Sequence, residues 1–254
     1  MAPVAAAVLP HPPLLVPELA GEAAPELDPL RAACREALGT VVAATDLTVV
    51  VGDGPVWGIP EPSAPGSFAP YGADVEVTLP ALTGIDLPEA LPAPARLPDL
   101  PLSLAVAAQL LAGLDRPPAS LFAATVPTSL GPKAAAAVGR ALTDASRIGR
   151  TRGGRVGLVA MADLSACRTD RAPGSFRAAA AEFDASVAEA LGTGKPGRLL
   201  DLDPAVAADL MVAGRVPLQV LAGAFEAAPA VHGQVLYEDA PYGVGYLVAL
   251  LTTP

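Results

Sequence analysis

The sequence predicts an α/β protein: a single three-layer α/β/α domain, residues 1–254, around a central mixed and largely parallel sheet. Two observations lead to this class. Short apolar runs typical of buried parallel strands, such as Leu47–Val51, alternate with longer stretches whose apolar residues recur at helical spacing. The alternation repeats along the chain, as it does in βαβ units whose helices cover both faces of a parallel sheet.

The opening unit is strand, helix, strand. A strand of small apolar residues, Val4–Leu9, is broken by the prolines around His11. Asp28-Pro29 then provide an N-cap and a first helical position for the helix that follows. The second strand, Leu47–Val51, ends in Gly52-Asp53-Gly54-Pro55, as a buried strand does when it runs into a loop.

Residues 55–101 contain prolines too often for regular helix. This segment is predicted to be a long ordered loop or lid with one short strand at Asp74–Leu79. After it the alternation returns. Helices are predicted over 102–114, 132–147, 175–191, 204–212 and 217–225, and strands over 120–124, 156–161, 233–237 and 243–250.

Composition narrows the classes of partner. Sixteen Lys and Arg against 26 Asp and Glu give a net charge of −10, which repels nucleic-acid phosphates and anionic membrane surfaces. No apolar run approaches the roughly 18 residues of a spanning helix, and the N-terminus lacks the basic region of a signal peptide. Cys34 and Cys167 have no zinc-knuckle spacing. We therefore expect a cytoplasmic protein, with a homodimer as a reasonable assembly, whose partner is a small molecule or another protein.

Imidazole and carboxylate side chains follow several predicted strands. His11 comes after the first strand, Asp53 after the second and Asp163 after strand 156–161, while His232 and Glu238 flank a late strand. Open α/β proteins bind ligands at such strand ends, and these ligand types suit divalent iron, zinc or manganese. Each carboxylate also has a structural alternative as a cap or turn residue, and His11 as a partner in a structural hydrogen bond.

Two arginines follow the same strand as Asp163. Arg168 and Arg171 are predicted to present a guanidinium fork to a substrate carboxylate, and the alternative is a solvated charged face. Other chemistry is disfavoured. The chain has neither a phosphate-binding glycine motif nor a G-x-S-x-G elbow, so nucleotide and serine-hydrolase functions are poor candidates.

Five segments in order carry a family resemblance. They are VLPHPPLLVPE at Val8–Glu18, LTVVVGDG at Leu47–Gly54, VGLVAMADLSACRTDRAP at Val156–Pro173, EFDASVAEAL at Glu182–Leu191 and LYEDAPYGVGYLVA at Leu236–Ala249. Together they resemble the class III extradiol ring-cleaving dioxygenase superfamily, of the catalytic B-subunit type, to which Memo-like proteins are related. The resemblance runs nearly end to end.

The resemblance implies a site around non-heme Fe(II) or another divalent metal, or a site that has lost its metal. In that family a histidine like His11 binds iron, a second histidine follows the next strand, and a glutamate, here Glu238, often completes the site. The second position offers only Asp53 in this chain. The family's acid/base histidine is replaced by Ala166, and a histidine of Memo-like relatives is replaced by Leu102.

We therefore hypothesise a divergent family member with an incomplete metal site, which binds a small molecule without standard ring cleavage. His11, Asp53 and Glu238 are the predicted metal ligands. His232 and Asp163 are the predicted catalytic groups.

The substrate-binding residues are predicted to be Arg168, Arg171 and Tyr242. Two alternatives stay open. One is an active metal-dependent dioxygenase acting on a small catecholic substrate. The other is a metal-independent enzyme that uses the same pocket through Asp163, Arg168 and a tyrosine such as Tyr237 or Tyr242.

Overall fold

The computed structural model of the protein describes residues 2–89, 91–144 and 154–254. Within them, a mixed and mostly parallel eight-stranded sheet has helices on both faces, which confirms the predicted fold class. The strands are β1 (Ala5–Leu9), β2 (Leu47–Gly54), β3 (Gly58–Pro60), β4 (Pro65–Ser67), β5 (Glu76–Thr78), β6 (Ala95–Leu97), β7 (Leu121–Pro127), β8 (Val156–Met161), β9 (His232–Asp239) and β10 (Tyr246–Thr252). The α-helices are α1 (Pro17–Ala20), α2 (Asp28–Ala44), α3 (Leu102–Ala112), α4 (Pro132–Leu142), α5 (Ala179–Gly192), α6 (Pro204–Asp209) and α7 (Arg215–Ala224).

The large sheet has the strand order β6-β3-β7-β2-β8-β1-β10-β9. Its centre, β7-β2-β8-β1, is parallel. β10 joins β1 in the antiparallel direction, and β9 completes that edge as a second antiparallel strand. Although β8 comes late in the chain, it lies between β1 and β2, so it brings the ends of these two early strands to the same place.

The two faces of the sheet have separate cores. α2 and α3 cover one face and pack on side chains such as Leu9, Val50 and Met161. α4, α5 and α7 cover the other face, over Val8 and Leu158. Successive side chains of a strand point to opposite faces and therefore enter the two cores in turn. This explains why these strands are apolar at every position and not only at every second one.

The proline-rich segment 55–101 is built into the fold more than the predicted loop or lid. β3 and β6 extend the large sheet beyond β7, and β4 and β5 form a two-stranded sheet. Phe68, between the last two, is fully buried in the core of the α3 face. Short strands and a 3-10 helix, Ala69–Tyr71, form the backbone hydrogen bonds of this segment. The predicted strand at Asp74–Leu79 contains the shorter β5.

Most predicted elements exist with shifted ends. β7 continues to Pro127, past the predicted end at 124, and α5 begins at residue 179 instead of 175. α4 ends at Leu142, where the prediction ran to 147, and residues 145–147 lie outside the described part of the chain. Among the described helices, none is both long and apolar enough to cross a membrane.

Candidate functional site

Three neighbouring strands bring His11, Asp53 and Asp163 together at one edge of the sheet. His11 and Asp163 each come two residues after the end of their strands, β1 and β8, and Asp53 is the next-to-last residue of β2. The helix that follows β1 covers one face of the sheet, and the helices that follow β8 cover the other. Such a divergence opens the crevice in which α/β sheets bind ligands.

The His11 imidazole lies against both carboxylates. Its Nε2 is 3.1 Å from Asp53 Oδ1 and 3.9 Å from Asp163 Oδ2. The backbone N–H of His11 also donates a hydrogen bond to Asp163 Oδ1 at 2.7 Å. The His11 side chain is only 4% exposed, against 25% for Asp53 and 16% for Asp163. A ligand would therefore meet the carboxylates first, with the imidazole behind them.

Burial and charge act in opposite directions on His11. Burial alone lowers the pKa of the imidazole, but the nearby Asp163 and Asp53 outweigh it, so the pKa is raised above 6.5. Burial raises the pKa of Asp163 above its ordinary range, against the opposing effect of His11. His11 and Asp163 therefore each hold a proton more tightly than they would in water.

One atom of the site is left without a partner. His11 Nδ1 is buried and makes no hydrogen bond with any described residue. Buried polar atoms in folded proteins are nearly always paired, and the exceptions concentrate where a residue has a function other than stability. The unpaired Nδ1 therefore supports a functional role for this corner of the sheet. A His–Asp pair with a purely structural role would not require a buried nitrogen without a partner.

The segment after His11 is held by hydrogen bonds from Arg31, a residue of α2. The guanidinium of Arg31 donates to the carbonyl oxygens of Leu14, Leu15 and Ala24, at 3.1, 2.9 and 2.6 Å. Prolines in this turn remove backbone donors and restrict φ, so the carbonyls need a donor from elsewhere. Arg31 supplies these donors, and it thereby ties the segment that follows His11 to α2.

Asp53 is held by the first turn of α3. Ser103 Oγ donates to the Asp53 carbonyl oxygen at 2.6 Å. Ser103 sits so close to Gly52 that a β-carbon at Gly52 would come within 2.6 Å of Ser103 Cβ. Glycine is required here because the helix approaches the strand backbone directly. The role of Ser103 was not predicted, since the residue is far from Asp53 in sequence and carries no motif of its own.

Two further buried groups near Asp163 were also missed. Burial, assisted by Asp163, raises the pKa of the Cys34 thiol to about 12, and the same two causes raise the pKa of Tyr246. The helical spacing of α2 does predict that Cys34 points toward the sheet. Nothing local could reveal that it faces the end of β8, because that neighbour depends on the strand order.

His232 is at the opposite end of the strands from His11, and Glu238 is two strands away from β1. Glu238 is exposed on β9, which lies four strand positions from β2, or about 19 Å at the usual interstrand spacing. His232 pairs with Thr252, which in turn pairs with Ala5 at the start of β1. It is therefore about 20 Å along the strands from His11. His232 is thus at the far end of the strands, whereas Glu238 lies opposite Leu247, at the His11 end of the sheet but on the edge strand β9.

The predicted substrate-binding residues have other partners or positions. Arg168 Nη1 donates to the buried carboxylate of Asp184 at 2.8 Å, so the charge of Arg168 already has a counter-ion within the protein. Tyr242 donates to Glu26 Oε2 at 2.9 Å on the surface. Arg171 is exposed. In the described part of the chain, none of the three forms a hydrogen bond or an ion pair with His11, Asp53 or Asp163, and their shared role in substrate binding stays a prediction.

The metal-ligand set predicted from the sequence does not fit a metal ion. His11 and Asp53 are adjacent, but Glu238 is about 19 Å from Asp53 across the sheet, whereas two ligands of one ion lie within about 4.5 Å of each other. In the parts of the chain that the structure describes, no three His, Cys, Asp or Glu residues are arranged to hold a metal.

Comparisons with known proteins give the fold a precedent. No protein-family model matches the chain, and no curated protein matches it either. Among solved structures it is similar to the crystal structure of uncharacterized protein JW3007 from Escherichia coli K12, with 14% sequence identity and a TM-score of 0.60. The alignment covers 98% of this chain and 99% of that one. At this identity the likeness establishes the fold alone.

Proposed function

We propose that this chain is a divergent member of the class III extradiol dioxygenase superfamily that binds a small molecule and does not cleave rings by the metal-dependent route. One observation carries the proposal: the His11 imidazole lies between Asp53 and Asp163, 3.1 and 3.9 Å away, while the predicted third ligand is elsewhere. A corner that resembles a metal site in sequence is occupied by a contact between the imidazole and two carboxylates of the chain itself.

Ring cleavage also needs a group that moves protons. A positioned acid or base contributes about two to four powers of ten in rate. The family position for this group is Ala166, which is buried and has no titratable side chain. His232, the one remaining imidazole, is at the opposite end of the strands. The donor set and the proton-transfer group are thus both incomplete, and this combination favours binding over standard catalysis.

The geometry supports a ligand that donates hydrogen bonds. Asp53 and Asp163 are the parts of the site that reach solvent, and a carboxylate accepts bonds from hydroxyl or ammonium groups. The nearby cations do not offset this preference, because Arg31 is bound to carbonyl oxygens and Arg168 to Asp184. A neutral polyol, a phenol or an amine fits these surroundings better than a carboxylic acid.

The proposal is tested by reconstituting purified protein with Fe(II) without oxygen and then measuring oxygen uptake with a panel of catechols. We expect no uptake, and we expect the bound iron of the wild type to equal that of His11→Ala. Sustained turnover would overturn the proposal. Stoichiometric iron that disappears in His11→Ala would overturn it as well.

A second candidate is a metal-independent acid–base enzyme, which the 3.1 Å contact between His11 and Asp53 favours. A carboxylate that orients an imidazole is a common arrangement for moving a proton. If the protein is such an enzyme, we expect it to convert a compound bound at this site in the presence of EDTA, and we expect His11→Gln to abolish the conversion. Recovery of the bound compound unchanged after long incubation would leave only the binding function.

A further inference from the structure

A second candidate binding site lies around Arg215, on the face of the sheet that α7 covers. A cavity of about 560 Å³ separates the loop after β7 from the segment that joins α6 to α7. Arg215, Thr128 and Ser129 contribute its polar lining, and Ala207, Ala208 and Val212 contribute apolar surface. This volume is within the range of small-molecule sites, about 300 to 1,000 Å³.

Arg215 is a buried cation without a counter-ion. The residue is 5% exposed. Its Nη1 donates to the Leu130 carbonyl at 3.1 Å and to Gln219 Oε1 at 2.7 Å, and its Nη2 donates to the Thr128 carbonyl. All three partners are neutral. In the described chain, no carboxylate oxygen lies within 4.0 Å of the Arg215 guanidinium.

The carboxylate that acts on Arg215 from a longer distance is already engaged. Asp203 favours the charged form of the arginine, yet burial outweighs it and lowers the Arg215 pKa. Asp203 Oδ1 accepts hydrogen bonds from the backbone N–H groups of Ala205 and Val206, at 2.7 and 3.1 Å, as the N-cap of α6. Asp203 is thus held at the start of α6, and it acts on Arg215 through space without a direct hydrogen bond or ion pair.

The guanidinium has donors to spare. It carries five N–H groups, and three hydrogen bonds are formed, none of them by Nε. A guanidinium with two unused donors can hold a carboxylate through two parallel hydrogen bonds. Arg215 is also the first residue of the ten-residue helix α7, whose N-terminal end has no side-chain cap and favours negative charge.

We propose that this cavity binds a small organic carboxylate, with its charged group on Arg215 and its apolar body against Ala208 and Val212. The anion would supply the missing counter-ion, and the alanine-rich wall accommodates hydrocarbon. The apolar lining selects an organic acid over inorganic phosphate, which would leave that wall unfilled. The proposal does not depend on the function proposed for the His11 corner, although Gly214, next to Arg215, donates to the Asp163 carbonyl at 2.9 Å.

The test uses hexanoate and benzoate as probes, titrated into the full-length protein and followed by two-dimensional NMR. We expect saturable binding with shifts centred on residues 128–130 and 207–215. Hexanamide and benzamide have the same bodies without the charge, so we expect them to bind at least tenfold more weakly. Equal binding of acids and amides, or binding of inorganic phosphate in preference to both acids, would overturn the proposal.

Two variants and a matched control locate the site. Ala208→Phe fills the cavity without touching the hydrogen bonds of Arg215, and we expect it to weaken hexanoate binding at least tenfold. Ala205→Phe adds the same ring on the same helix at an exposed position outside the cavity lining, and binding should be unchanged. Arg215→Lys, which keeps the charge but loses the fork, should also bind at least tenfold more weakly. Unchanged binding in Ala208→Phe would overturn the assignment even where the lysine variant fails to fold.

Discussion

At the scale of single residues, one imidazole joins the ends of three strands. His11 is bonded through its backbone to Asp163 and through its ring to Asp53. Each contact bridges a different pair of strands, so the side chain works as a joint as well as a candidate functional group. Its two carboxylate neighbours set the charge of the corner, and that charge depends on pH.

We expect Asp53→Asn to destabilise the protein more at pH 6 than at pH 9. The pKa of His11 is raised in the folded chain, so the folded state keeps this proton at pH values where the unfolded chain has lost it. That stabilisation is complete below pH 6.5 and is lost as the pH rises through the folded value. A hydrogen bond between charged groups contributes about 1.5 to 3 kcal/mol. Urea denaturation at both pH values measures the difference.

The second histidine provides the control for this measurement. His232 is exposed at the start of β9, and His232→Ala should change the free energy of unfolding by less than about 0.5 kcal/mol at either pH.

The raised pKa of Asp163 acts in the same direction as that of His11, because it also makes the folded state bind more protons. A larger loss for Asp53→Asn at pH 9 than at pH 6 would contradict the proposed ion pair.

At the scale of elements, the cavity at Arg215 depends on how closely α7 packs against α4. A β-carbon at Gly139 of α4 would collide with the Val220 carbonyl of α7, and one at Gly223 of α7 would collide with the backbone of Ala136. Two glycines therefore let the helix backbones touch. Since Arg215 is the first residue of α7, this contact also helps to determine where its guanidinium lies.

We predict that Gly139→Ala lowers the free energy of unfolding by about 1 to 3 kcal/mol, the usual cost of overpacking. Alanine gains roughly 1 kcal/mol in helix propensity over glycine, but the methyl group meets backbone atoms that cannot rotate away. Thermal and urea unfolding measure the loss. Gly197→Ala is the control, because an added β-carbon there has no atom within 4 Å. Equal stability of the two variants would show that the helices can separate at little cost.

At the scale of the whole molecule, the layers and the parallel centre of the sheet followed from sequence patterns. Runs such as Leu47–Val51 are apolar at every position, which predicts strands buried on both faces. The four short strands within 55–101 could not be predicted so well. Proline and glycine disrupt both helical and alternating patterns there, and the pairing of β3 with β7 and β6 depends on contacts distant in sequence.

The site was predictable only where it depends on strand ends. His11, Asp53 and Asp163 each lie at or just after the end of a strand of the parallel centre, and the structure brings them together. Glu238 and His232 were predicted to flank a strand, but both lie within β9, an antiparallel strand at the edge of the sheet. Neither edge position nor direction can be read from local pattern. The partners of Arg168 and Arg215 were equally hidden, since both depend on tertiary packing.

The central position of β8 also has a consequence for the order in which the chain folds. β1 and β2 are complete by residue 54, but β8, which separates them in the sheet, ends at Met161. When the ribosome has made only the first half of the protein, the strand that joins β1 to β2 is missing, so His11 and Asp53 are not yet held side by side. Contacts so distant in sequence slow folding. We therefore expect the nascent chain to expose the edges of β1 and β2 that face β8 until β8 inserts between them. The need for chaperones would be greatest during this interval.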